Sequence, residues 1–174
     1  ALSNLLLFGQ DWIMFTGVRD GEFQFVTDFG ESEVLVWKGL LVPQAWTLGV
    51  ELSFYLIAPF VLIRRNLMLV LLLCSLVLRG YLIYIGLGTK DPWLYRFFPT
   101  ELALFLLGAC AHQFLKPLYE KKNLLTENLS TILTIAIFFY CSVFFLLPYR
   151  MLNTFALIAL FILFLPYLFT FQSK

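Results

Sequence analysis

Charge is scarce in this sequence. Lys, Arg, Asp and Glu make up 13% of its 174 residues, whereas a soluble domain carries about 25%. Net charge is +1, and no basic patch stands out, so the electrostatic footprint that nucleic acid requires is missing. Histidine occurs once, at His112, which excludes a His-rich metal cluster. The three cysteines, Cys74, Cys110 and Cys141, all fall in apolar stretches, where a thiol packs as a small hydrophobe. Their spacing fits neither a disulfide framework nor a zinc site. Walker, dinucleotide-binding, Gly-x-Ser-x-Gly and His-Glu-x-x-His patterns are all absent, and no bound cofactor is expected.

What the chain has in abundance is apolar surface. Hydrophobic residues make up 61% and the mean hydropathy is +0.87. A water-soluble fold of about 150 residues buries only about 70% of the surface its unfolded chain exposes, too little to hide this much hydrocarbon. Lipid is the expected solvent. A helix crosses a bilayer with about 20 apolar residues, and five stretches approach that length: 43–63, 66–86, 97–115, 129–147 and 151–170. Residues 1–8 read as the tail of an earlier span. Apolarity within these stretches is continuous and does not alternate, which favours helices over a β-barrel. Short links at Arg64–Asn66, from Gly88, from Lys116 to Asn128 and at Pro148–Arg150 imply antiparallel neighbours. The expected fold is therefore all-α, a polytopic transmembrane helix bundle. Ala1 is not a start methionine, and the chain reads as part of a longer membrane protein.

Residues 9–42 are the one long polar stretch, with Asp11, Asp20, Glu22, Asp28, Glu31 and Glu33 against Arg19 and Lys38. Asp20-Gly21 followed by Phe23, Phe25 and Val26 suggests a short hairpin. By alternation, Arg64, Arg65, Lys116, Lys121, Lys122 and Lys174 share one side of the membrane. The positive-inside rule makes that side cytoplasmic and turns residues 9–42 outward.

Glu51 lies about two turns into a span. A carboxylate there costs roughly 2.5–3.5 kcal/mol on insertion scales and faces the bundle interior, water or a partner. Thr47, Glu51 and Tyr55 recur at i, i+4 and i+8, which puts a polar stripe on one helix face. Pro43 is placed to begin that helix, and Trp46 lies in its first turn as an interfacial anchor. Arg79 lies deep in the next span. It is read as an ion-pair partner of Glu51 or Glu101, as a binder of an anionic group, or as a side chain that snorkels to the interface. Thr100 resembles an N-cap, and Glu101 sits where the helix dipole favours an anion. Gly108, Ala109 and Ala111 leave room for a neighbouring helix. His112 reads as an interface residue. Each ionisable group also has a purely structural reading, in which Glu51 and Arg79 merely pin helices together.

Residues 43–60, Pro-Gln-Ala-Trp-Thr-Leu-Gly-Val-Glu-Leu-Ser-Phe-Tyr-Leu-Ile-Ala-Pro-Phe, resemble the signature of the acyltransferase-3 family, Trp-Ser-Leu-x-Val-Glu, two residues, Phe-Tyr and a run to Pro. Trp46, Leu48, Val50, Glu51, Phe54, Tyr55 and Pro59 match, with Thr47 in place of the common Ser. Tyr95-Arg96-Phe97-Phe98-Pro99 through Phe105-Leu106-Leu107-Gly108 is similar to a second block, an Arg-Phe-x-Pro entry into a Phe-x-x-Gly helix. The resemblance spans about residues 1–115.

It implies an integral protein of the bacterial inner membrane. Such an enzyme moves an acyl group, typically acetyl, from a cytoplasmic acyl-CoA donor to a hydroxyl of a surface polysaccharide or lipid-linked glycan. The general base it implies is a His with an associated Arg near the first span, upstream of Ala1; His112 is not that residue. Trp46 and Glu51 carry over as catalytic-site residues, with Thr47, Tyr55, Arg79 and Glu101 as candidate substrate-binding groups beside them. The competing reading is a transporter or flippase segment in which Glu51 and Arg79 line a substrate path. A third is a non-catalytic membrane scaffold.

Overall fold

The computed structural model describes residues 10–28, 30, 32–40, 42–88, 90–93, 95–122 and 127–171. The expected span tail at residues 1–8 lies outside them. The chain is mostly helical and divides into two compact units, Ala1–Leu106 and Leu107–Lys174.

The first unit opens with a short helix, α1 (Gln10–Ile13), and a hairpin of β1 (Thr16–Arg19) and β2 (Glu22–Phe25). The strands pair antiparallel, Thr16 opposite Phe25 and Arg19 opposite Glu22. Asp20 (φ 54°) and Gly21 (φ 75°) make the two-residue turn. Two successive positive φ values are what a type I′ hairpin turn needs, and Asp-Gly tolerates them best. The expected hairpin is therefore present. Ser32 fastens it from the following segment: its Oγ accepts from the Val18 N–H at 2.8 Å and donates to the Val34 carbonyl at 2.6 Å. Val34 bridges Val18 in turn.

A 3₁₀ turn at Pro43–Ala45 leads into α2 (Trp46–Val61). Pro43 starts the turn, where its missing N–H costs nothing. Pro59 sits near the far end of α2. After the tight turn at Leu62–Arg64, α3 (Arg65–Tyr84) returns antiparallel. Both Gly88 and Leu87 donate their N–H groups to the Leu82 carbonyl and close the α3 end. A Cβ on Gly88 would stand 2.7 Å from the Ile83 nitrogen, so this turn admits no side chain. α4 (Phe98–Cys110) follows. Thr100 does not cap it as expected. The helix already begins at Phe98, and the buried Thr100 hydroxyl donates back to the Phe97 carbonyl at 2.8 Å. The carbonyl of Phe97 also takes the N–H groups of Thr100 and Glu101.

A π turn at Ala111–Leu115 carries the helix into α5 (Lys116–Lys121). The expected link from Lys116 is thus shorter than the sequence suggests. Pro117 falls in the first turn of α5, a position that needs no N–H, so it does not end the helix. In the second unit, α6 (Glu127–Val143) and α7 (Arg150–Phe171) pack around Ile137, Phe164 and Tyr167, with Tyr119, Leu133 and Leu160 against them. The small-residue stretch does admit a helix: a Cβ on Gly108 would lie 3.9 Å from a Leu165 methyl, and Ala111 is fully buried.

Among the described residues, three helical stretches are long and apolar enough to cross a membrane: Arg65–Tyr84, Phe98–Lys121 and Asn128–Leu146. Trp46–Val61 and Leu152–Tyr167 are apolar but shorter. Only 11–28% of the residues in the three long stretches are buried within the chain. Leu73, Val77, Phe138 and Phe139 are among those turned outward. Apolar faces this extensive are not sustained in water; they call for hydrocarbon around them.

Candidate functional site

The start of α2 meets the link between α3 and α4, and α3 meets the start of α4. The link supplies Asp91, Tyr95 and Arg96. Arg96 forks onto the Asp91 carboxylate, Nε to Oδ1 at 2.7 Å and Nη2 to Oδ2 at 3.0 Å. Tyr95 donates its hydroxyl to Asp91 Oδ2 at 3.0 Å. The guanidinium carbon lies 4.6 Å from the centre of the Trp46 ring and 5.1 Å from that of Tyr95, a cation–π arrangement. Partial burial by itself would lower the Arg96 pKa. The hydrogen bonds and charge of Asp91, with help from Tyr95, outweigh it and hold the guanidinium above its usual value. Arg96 stays charged at any pH at which a protein is handled.

One helix face further along, Phe54 of α2 stacks on Phe105 of α4, ring centres 4.4 Å apart and planes 13° off parallel. The two blocks of the family-like pattern therefore touch twice, at Trp46–Arg96 and at Phe54–Phe105.

Arg79 pairs with Glu101 through Nη2 and Oε1. The choice left open between Glu51 and Glu101 falls to Glu101. Ser75, one turn before Arg79, donates its hydroxyl to the Pro99 carbonyl at 2.6 Å, which sets α3 against the first turn of α4. Nε of Arg79 is buried and makes no hydrogen bond among the described residues.

Thr47, Glu51 and Tyr55 are all exposed, whereas Gly49 and Val50 between them are buried. The stripe thus lies along one face of α2, turned away from the described helices. Thr47 donates its hydroxyl back to the Gln44 carbonyl at 3.1 Å, within its own helix. The structure consequently splits the expected site residues into three places: Trp46 in the Arg96 cluster, Arg79 with Glu101, and the Thr47–Glu51–Tyr55 stripe. Asp91 was missed in the sequence, and Arg96 was noted only as part of the second block. Their signal was an acid and an arginine five residues apart in a link around Pro92. Among the described residues, no group of His, Cys, Asp and Glu side chains could hold a metal ion.

The chain matches no protein-family model, no curated protein and no solved structure.

Proposed function

We propose that the chain is part of a membrane-bound acyltransferase that moves an acyl group, acetyl in the simplest case, from acyl-CoA to a hydroxyl of a surface glycan. The observation that carries this reading is the double contact between the two blocks, Trp46 beneath Arg96 and Phe54 on Phe105. Blocks that are separate in sequence and resemble one family become neighbours, as parts of one site would.

The chemistry needs a base to take the hydroxyl proton as the oxygen attacks the thioester carbonyl, and donors to stabilise the oxyanion while the thiolate leaves. Glu51 is suited to orient an imidazole or to hydrogen-bond the sugar. It is exposed on a largely apolar helix, and such a carboxylate requires polar company. The base itself belongs, on the resemblance, to a histidine upstream of Ala1. Trp46, with the Arg96 guanidinium carbon 4.6 Å from its ring centre, is proposed as a wall of that site. The rival reading of a transport path lined by Glu51 and Arg79 is weakened, because Arg79 is engaged by Glu101.

The test uses cells carrying the full-length gene. Glu51→Gln should cut acyl transfer to surface glycan by about 10²-fold or more, the typical worth of an acid–base element, with unchanged amounts of folded protein in the membrane. Near-normal glycan acylation in that variant would overturn the assignment.

A further inference from the structure

A second feature of the first unit shares the α3–α4 link with the Arg96 cluster but is lined by other residues of it. Beneath the hairpin lies a cavity of about 300 Å³, lined by Trp12, Phe15, Phe25, Val26, Thr27, Trp93 and Phe97. Its walls are built from three segments: α1 with the turn after it, the end of β2 with the residues after it, and the α3–α4 link. Phe15 meets Trp93 edge-on at 5.1 Å and Phe97 at 5.6 Å. Trp93 Nε1 donates to the Thr27 carbonyl at 2.9 Å, and the Val26 N–H donates to the Phe15 carbonyl at 2.9 Å. These bonds tie the wall segments to one another around the space.

We infer that this aromatic cavity seats a hydrocarbon chain of a lipid from the adjoining membrane leaflet. Two observations select that occupant. The first is polarity. The Trp93 indole N–H is already bonded, which leaves the Thr27 hydroxyl and the Trp12 indole as the side-chain polar groups on the wall. A sugar ring brings several hydroxyls, and each loses hydration on entry. Two wall groups could not replace it. A hydrocarbon segment has no such demand, and the volume lies at the lower end for ligand pockets, enough for part of a chain.

The second observation is position. Phe97 on the cavity wall immediately precedes Phe98, the first residue of a helical stretch long enough to cross a membrane. The cavity wall thus adjoins the beginning of a stretch long and apolar enough to cross a membrane. Trp12 and Phe25 line the cavity with exposed rings, side chains suited to a membrane boundary. The inference stands independently of acyl transfer.

The test is photolabelling of the detergent-solubilised full chain with dodecanol carrying a mid-chain diazirine, followed by peptide mapping. Label should concentrate on residues 12–27 and 93–97, saturate, and be competed by unlabelled dodecanol but not by free sugar. Val26→Trp, which fills the space, should lower labelling there by about tenfold, the loss expected from excluding roughly two methylene groups. Thr27→Val removes the hydroxyl at constant shape and should leave labelling unchanged or raised. It keeps the test open should Val26→Trp fail to fold. Non-saturable label spread evenly over the outer faces of α3 and α6 would overturn the inference. So would loss of cavity labelling in Thr27→Val, or competition by free sugar.

Discussion

At the scale of single residues, the ion pair of Arg79 and Glu101 decides more than the charge count suggests. Both side chains are largely buried, 21% and 14% exposed, and each makes the other tolerable. Removing one partner of a buried pair costs about 3–5 kcal/mol, whereas replacing both by apolar groups is often neutral. Arg79→Met should therefore lower the temperature at which the solubilised protein loses its folded, monodisperse state. Arg79→Met with Glu101→Leu should recover most of that loss. A double variant no more stable than the single one would show that Arg79 acts through something other than Glu101. If the double variant is stable but inactive in glycan acylation, the pair serves substrate as well as structure.

At the scale of elements, the hairpin is the most local feature of the chain. Gly21 sits at φ 75° with nothing among the described residues within 4 Å of where a Cβ would stand. Any cost of Gly21→Ala is thus conformational and not a clash. An L-residue forced into that region loses about 1–2 kcal/mol. Hydrogen exchange of the amides in residues 16–26 should quicken by at least about fivefold, the factor that follows from about 1 kcal/mol. Exchange in α6 and α7 should stay unchanged. Unaltered protection of the hairpin would mean that Ser32 and Val34, not the turn, hold it together. The same element roofs the aromatic cavity, so the variant should also weaken labelling there.

At the scale of the whole molecule, the outward apolar faces of the long helices and the distribution of Lys and Arg lead to one topological expectation. A cysteine placed at Asp20 in the hairpin turn should react with a membrane-impermeant thiol reagent in intact cells. A cysteine at Lys121 should react only after the membrane is opened. Both would be introduced after Cys74, Cys110 and Cys141 are replaced by serine or alanine. The reverse pattern would invert the orientation, and equal reaction at both sites would exclude an odd number of crossings between them.

The sequence by itself determined the features that depend on neighbours within a turn or two: the apolar helical stretches, the Asp20-Gly21 turn, Pro43 at a helix start, and the i, i+4, i+8 face of Thr47, Glu51 and Tyr55. Hydrophobic period and backbone preference are local properties, and they survived into the structure. Where local cues misled, the cause was a competing local geometry. Lys116 read as the start of a link but opens a helix that follows a π turn, and Thr100 read as a cap although the helix had already begun. The partners were decided by tertiary structure alone. Whether Arg79 meets Glu51 or Glu101 depends on how α3 crosses α4, which Ser75 and the Pro99 carbonyl set. The stacking of Arg96 on Trp46, its fork onto Asp91, and the cavity under the hairpin all join segments far apart in the chain. No periodicity records such meetings, because ion pairing, stacking and enclosed volume are properties of distance in space.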